Sequence, residues 1–269
     1  MAGQKEIQDE KAQVKSFWEG FPCELQYAPR LARGTLELYE TLERERYDIQ
    51  APFLHSFIQF TRQHDKRVLE IGVGVGTDFT QTARAGAKAV GIDLTRAATE
   101  LTRDRLHLYG LKADLIVADA ENLPFREDTF DFIYSIGVIH HSPSPPAIIQ
   151  EIYRILIPRE KIRIAMYNRY AGAVYRYYLK YALARGKPFT SLSTVLANHI
   201  ESKGTKAYTG SELRTMFAGF SDLGLERVLL DGERITFANL TKLRTLGRLL
   251  PNRLASFWFI SCSKPSVTK

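Results

Sequence analysis

The stretch Val68–Asp78, VLEIGVGVGTD, decides how the chain is read. A short apolar run broken by one acid, Glu70, is followed by glycines at alternate positions, Gly72, Gly74 and Gly76. A glycine-rich turn directly after a strand brings the backbone close to a nucleotide, because no Cβ stands in the way. In the dinucleotide fingerprint G-x-G-x-x-G the last glycine falls one position later, and a pyrophosphate sits on the helix N-terminus behind it. Here the spacing is G-x-G-x-G and position 77 is Thr. Glu70, just ahead of Gly72, repels a phosphate and attracts a cation. The turn therefore predicts a nucleoside ligand that carries positive charge.

Outward from this turn, short apolar runs alternate with amphipathic stretches, the pattern of a parallel α/β sheet. Strands are expected at RVLEIG, at AKAVGID ending on Asp93, at ADLIVADA ending near Asp119, at FDFIYSIG from Phe130 and at KIRIAMY from Lys161. Helices are expected between them, over about 77–85, about 95–109 behind Thr95 and about 146–156 behind a proline cluster. LERVLLDG and SFWFISCS read as closing strands, with SELRTMFAGF a helix before them whose start is placed at Ser211 and Glu212. The expected units are a helical lid over 1–66, a cofactor-binding core over 67–166, a helical insertion over 167–208 that caps the acceptor, and a completion of the sheet over 209–269.

Composition sets the frame for these units. With 269 residues, 45% of them hydrophobic, the chain is long enough to bury a sizeable core. Cys23 and Cys262 stand far apart with no partners at zinc-ligand spacing, so neither a disulfide framework nor a structural metal is expected. The start, AGQKEIQDEKAQVK, is charged throughout, and no apolar run approaches the roughly 18 residues of a membrane span, so a soluble, cytoplasmic protein is expected. Charge is unevenly spread: 9 Lys/Arg against 11 Asp/Glu over residues 1–66, 10 against 13 over 67–160, and 18 against 6 over 161–269. A basic C-terminal third suits an acidic substrate, a nucleic acid or an anionic membrane surface.

With these residues in place the sequence resembles the class I S-adenosylmethionine-dependent methyltransferases, most closely the ubiquinone/menaquinone methyltransferase-like group. The resemblance covers roughly residues 66–165 and rests on E-x-G-x-G-x-G from Glu70, on Asp93, on ADAENLPF from Ala118 and on FDFIYSIGVIHH from Phe130. It implies an α/β, Rossmann-like fold with a mostly parallel seven-stranded sheet and helices on both faces. It also implies S-adenosyl-L-methionine as cofactor and S-adenosyl-L-homocysteine as product. Glu70 and the three glycines would wrap the methionine and ribose, Asp93 with Leu94 beside it would hold the ribose hydroxyls, and Asp119 and Ala120 would meet the adenine. Ser135 and Ile136 would border the cofactor from the end of the fourth strand. The chain departs from the family at LIPREK, where Arg159 and Glu160 stand in place of the glycines of a Pro-Gly-Gly turn, so that turn should be reshaped.

The acceptor has no motif of its own. His140 and His141 are the candidate catalytic groups, one as a base facing the cavity and the other packed, and no metal is expected because adjacent residues point apart with no third ligand near. Trp18, in the aromatic cluster of KSFWEGFPC, and Tyr170, Tyr177 and Tyr178, on one helical stripe of the insertion, are the candidate acceptor contacts. Cys23 reads as a small packed residue. LTKLRTLGRLL from Leu240 reads as an amphipathic helix suited to peripheral membrane contact. The expected activity is direct in-line methylation of a small apolar or aromatic molecule. The alternatives are a nucleic-acid or protein methyltransferase that uses the basic C-terminal third, and a non-catalytic cofactor-binding subunit. Against a nucleic-acid acceptor, SIGVIH stands where an Asn/Asp-Pro-Pro-aromatic motif would be expected for methylation of amino groups.

Overall fold

The computed structural model describes residues 2–230, 233 and 251–266. Helices α1 (Ala2–Gly20), α2 (Leu36–Arg44) and α3 (Leu54–Ile58) precede the sheet. The strands are β1 (Arg67–Ile71), β2 (Lys88–Asp93), β3 (Asp114–Val117), β4 (Phe130–Ile136), β5 (Leu156–Tyr167), β6 (Ser221–Arg227) and β7 (Phe257–Ser263). Helices α4 (Thr77–Arg84), α5 (Arg96–Leu108) and α6 (Pro145–Ile155) fill the crossovers, and α7 (Gly172–Tyr181), α8 (Leu192–His199) and α9 (Gly210–Met216) lie between β5 and β6.

The strands make one seven-stranded sheet in the order β3-β2-β1-β4-β5-β7-β6. Strands β1 to β5 pair in parallel, and β7 runs antiparallel between β5 and β6. Alternate residues of the central strands serve two cores, because successive side chains leave a strand on opposite faces. Leu69, Ile71 and Ile133 pack with Ile148, Ile149, Ile152 and Ile155 of α6. Val68, Phe132 and Tyr134 pack on the other face with Leu54 and Ile58 of α3 and with Phe60. The strand order reverses direction between β1 and β4, and the crevice at their carboxyl ends is where such sheets bind ligands.

Local chemistry fixes the ends of these elements. Thr95 caps α5 by accepting from the Ala98 amide, and prolines open α6. Glu19, at the end of α1, accepts from the amides of Arg96 at 3.1 Å and Ala97 at 2.9 Å. A carboxylate from α1 thus sits on the positive end of α5 and ties the N-terminal helix to the core.

Three boundaries differ from expectation. Helix α9 begins at Gly210, one residue before Ser211, since Thr209 is its N-cap and forms a capping box with Glu212. Strand β5 starts at Leu156, not Lys161: Arg159 adopts φ 71°, and the register with β4 shifts between Phe130 and Phe132. The reshaped LIPREK turn is thus a bulge inside one continuous strand, held where the Arg159 amide donates to Lys264 O at 2.8 Å. Strand β6 precedes most of LERVLLDG, which leaves Val228–Leu230 beyond the strand. Residues 231 and 232 of that stretch, and LTKLRTLGRLL from Leu240, lie outside the described residues.

Candidate active site

The glycine turn forms the floor of a cleft at the ends of β1, β2 and β4 that holds about 1150 Å³ of space, its mouth included. Gly72 takes φ 84°, and a Cβ there would stand 2.3 Å from the Val138 side chain. Gly74 takes φ 55° and has no atom within 4 Å of the position a Cβ would fill, so its bare backbone faces open cleft. The Gly74 amide donates to Asp93 Oδ2 at 3.2 Å, and Asp93 Oδ1 accepts from the Thr95 amide at 2.9 Å and hydroxyl at 2.8 Å. Asp93 therefore locks the turn to the end of β2 while lining the cleft.

The charge of the wall is unbalanced. Six carboxyl groups line the cleft, Glu24, Glu70, Asp78, Asp93, Asp119 and Glu121, against the cations Lys11 and Arg46. Arg46 reaches Asp78 at 2.5 Å and Glu24 at 3.3 Å, and the Tyr47 hydroxyl donates to Asp78 at 2.6 Å. Glu24 also accepts from the Thr77 hydroxyl at 2.6 Å, and the fully buried Arg105 donates to the same hydroxyl and to Glu43. Glu70 accepts from the Tyr134 hydroxyl at 2.6 Å. Burial first, and then the neighbouring Asp78, hold the Glu70 carboxyl well above the usual carboxylate range. Burial also raises Asp93, against its three hydrogen bonds. Such a wall repels a pyrophosphate and gains by taking in a cation.

Of the residues expected to hold a cofactor, Glu70, Gly72, Gly74, Asp93, Leu94, Asp119, Ala120 and Ile136 line this cleft. Gly76 does not: it precedes α4 and packs against Thr102. Ser135 is also behind the wall, fully buried and donating to Ile71 O at 2.9 Å, because it alternates away from the cleft along β4. Asp119 is engaged from above, where Lys11 of α1 contacts it at 2.5 Å and Glu121 at 2.6 Å. Glu121 in turn accepts from the Ser142 hydroxyl and from the Ser144 amide at 3.1 Å.

At one corner of the cleft stand the histidines. Ile139–His141 is a 3-10 turn, so the two adjacent rings do not point apart: their centroids lie 4.3 Å from each other. His141 lines the cleft, with the Trp18 ring edge-on at 4.9 Å. Its Nε2 lies 3.2 Å from Glu201, and its Nδ1 lies 2.9 Å from the Ser202 hydroxyl and 3.0 Å from that of Thr205. The Tyr167 hydroxyl donates to Glu201 at 2.8 Å. Burial pushes the Glu201 carboxyl up, but the hydrogen bonds and charge of His141 outweigh it and hold the group below its ordinary value. Glu201 is a third side chain within reach of both histidines, their ligand-type atoms all lying within 4.8 Å of one another. His140 is not in the cleft wall. It is fully buried against Tyr167, its ring nitrogens have no hydrogen-bond partner among the described residues, and burial, then His141, lowers its pKa well below the ordinary value.

The tyrosine stripe also departs from expectation. Tyr170 is exposed, Tyr177 stacks on Tyr181 at 5.7 Å, and Tyr178 donates to Pro188 O, so none of the three reaches the cleft. Cys23, expected to be packed, lines the cleft as an exposed residue. Lys11, Glu24, Arg46, Asp78, Glu121 and Glu201 were not singled out in the sequence. Asp78 abuts the glycine turn and Glu121 lies inside ADAENLPF; the others come from segments without a motif, and only long-range packing brings them here.

The comparisons fit this geometry. Residues 69–164 match the family model described as a methyltransferase domain. Methyltransferase GfsG of Streptomyces halstedii is 35% identical over 102 residues, 37% of this chain and 37% of that protein. Phthiotriol/phenolphthiotriol dimycocerosates methyltransferase 1 of Mycobacterium ulcerans is 37% identical over 95 residues, 35% of this chain and 34% of that protein. The matched segments span 18–37% of the length of the curated relatives. Among solved structures, phosphoethanolamine N-methyltransferase 2 of Haemonchus contortus, in complex with S-adenosyl-L-methionine, has a TM-score of 0.61 at 18% identity, covering 94% of this chain and 60% of that one. A SAM-dependent methyltransferase of Thermotoga maritima has a TM-score of 0.53 at 19% identity, covering 93% of this chain and 99% of that one. Residues 69–164 thus match a methyltransferase-domain model, and the sheet that holds them has the Rossmann-like fold of the class I methyltransferases among those structures.

Proposed function

We propose that this chain is an S-adenosylmethionine-dependent methyltransferase whose acceptor is a small apolar or aromatic molecule. The observation that carries the reading is the wall of six carboxyl groups facing two cations around the open backbone at Gly74. The donor set suits a positively charged nucleoside: Asp93 at the end of β2 for ribose hydroxyls, Asp119 and Ala120 for the adenine edge, and the acidic group around Glu70 and Asp78 for the cationic end. Arg46, between Glu24 and Asp78, is the cation placed to meet the ligand's own carboxylate. When bound, this cofactor supplies a methyl group on a sulfonium. Alignment of donor and acceptor in such a site contributes about 7–11 kcal/mol, more than a positioned base.

On this reading the acceptor enters beside Trp18, Pro22, Val138 and Ile148, the apolar part of the wall. His141 is the one histidine placed to touch it. Where the acceptor is a neutral hydroxyl, the His141–Glu201 pair takes its proton as the methyl arrives. Direct methyl transfer needs no covalent enzyme intermediate, so Cys23 takes no part as a nucleophile. Support for an apolar acceptor also comes from relatives named for phthiotriol dimycocerosates and for a sterol.

The test is formation of S-adenosylhomocysteine by the full chain with a panel of phenols, prenylated quinols and sterols, set beside phosphoethanolamine and a structured RNA. Turnover with the apolar group is expected. Turnover confined to RNA or to phosphoethanolamine contradicts the acceptor class and leaves the cofactor reading intact.

A further inference from the structure

Residues 161–200 contain seven Lys/Arg and no Asp or Glu. Four of these cations, Arg176, Lys180, Arg185 and Lys187, lie exposed on α7 and the loop after it, and among the described residues no carboxylate pairs with them. The apolar side chains interleaved with them are exposed too: Tyr175 at 42%, Leu179 at 55%, Leu183 at 50% and Phe189 at 99%. Tyr175 and Leu179 lie one helical repeat apart on α7, and Leu183 opens the 3-10 turn Leu183–Arg185 that follows it.

This face is outward by construction. The opposite side of α7 packs through Ala171 and Val174 on Leu196 and Ala207, and Tyr181 stacks on His199 of α8 at 4.1 Å. Tyr178 donates to Pro188 O, which pins the loop and presents Phe189 to solvent. An exposed phenylalanine at the loop tip is flanked by leucines and by cations, three of which lie over the Tyr177 and Tyr181 rings and none of which meets a carboxylate among the described residues; together they make one amphipathic patch. Nucleic acid would use the cations and leave the leucines wet. A bilayer uses both, since apolar groups enter the headgroup region while Lys and Arg stems reach to lipid phosphates.

We propose that the outer face of α7 with the 183–189 loop docks on a bilayer surface that carries anionic phospholipid. Leu179, Leu183 and Phe189 enter the headgroup region, and Arg176, Lys180, Arg185 and Lys187 contact lipid phosphates around them. The surface stands on its own residues and does not depend on the methyl-transfer reading.

The experiment is co-sedimentation of the full chain with vesicles of phosphatidylcholine alone and of a one-to-two mixture of phosphatidylglycerol and phosphatidylcholine, at low and high salt. Binding to the anionic vesicles is expected to be about tenfold stronger and to weaken with salt. The triple variant L179S/L183S/F189S and the double variant R176E/K180E should each lose about tenfold in binding while keeping the cofactor affinity and melting temperature of the parent. If the triple variant does not fold, F189S alone carries the test, because that side chain touches no core. Equal binding to both vesicle types, no binding to either, or variants that bind like the parent overturns the proposal. So does a parent protein that ignores vesicles but binds RNA, or one that dimerises through this face.

Discussion

Asp93 shows how one side chain serves two purposes. It braces the glycine turn through the Gly74 amide and lines the cleft, and burial raises its pKa. D93N removes a charge that is costly to bury, so the melting temperature should change little, while loss of a charged hydrogen bond to ribose should weaken cofactor binding about 10–100-fold. Calorimetry beside a thermal melt checks this, and unchanged affinity would remove Asp93 from the ribose site. Glu70 gives a pH signature. Its ligand-free carboxyl keeps a proton above its ordinary 4.5, so the folded state binds more protons than the unfolded one there, and stability falls as pH rises through that window. A cationic ligand reverses the preference, so binding should expel a proton and tighten as pH rises. Titrations in buffers of different ionisation enthalpy should show that proton, and E70Q should abolish it; heats independent of buffer contradict the assignment. H141Q should lower kcat about 10²–10⁴-fold for a hydroxyl acceptor, with the cofactor Kd unchanged. Glu70, Gly72, Gly74 and Asp93 were legible in the sequence because their chemistry sits in one turn and the next strand end. Ser135 was misplaced because a neighbour in sequence need not share a face in space, and which of the two histidines packs was left open by the sequence.

At the scale of elements, α6 was legible as a run of isoleucines behind prolines, and it packs as that pattern requires. Ile152 is fully buried in the larger core, so I152A should cost about 2–5 kcal/mol of stability, read from the shift in denaturant midpoint at constant slope. A cost near zero would mean that α6 is loosely docked. Helix α1 was legible as a charged helix, but not its attachment, which rests on Lys11 meeting Asp119 and Glu121 and on Glu19 capping α5. Lys11 occupies the carboxylate assigned to adenine while holding α1 over the cleft. K11M should therefore speed both association and dissociation of the cofactor, with a smaller change in Kd, as stopped-flow kinetics can resolve. Unaltered rates would show that α1 does not restrain the cleft. The tyrosine stripe of α7 misled because helical periodicity marks a face without saying which side is covered: Val174 turns inward while Tyr175 and Leu179 face water.

At the scale of the molecule, the seven-stranded order follows from alternating strands and crossovers, and it places the glycine turn where the sheet's direction reverses. The sequence pattern carries that architecture because each strand and its helix are local. The charge of the cleft is a property of the whole chain, collected from α1, the segment before α2, the residues just after α2, the first turn of α4 and three strand ends, and no local window displays it. It is also the feature that separates a sulfonium nucleoside from a dinucleotide. The direct measurement is calorimetric titration of the full chain with S-adenosylmethionine, S-adenosylhomocysteine and NADH. The account predicts micromolar binding of both adenosyl ligands and none of NADH. Binding of NADH, or of neither adenosyl ligand, would contradict it.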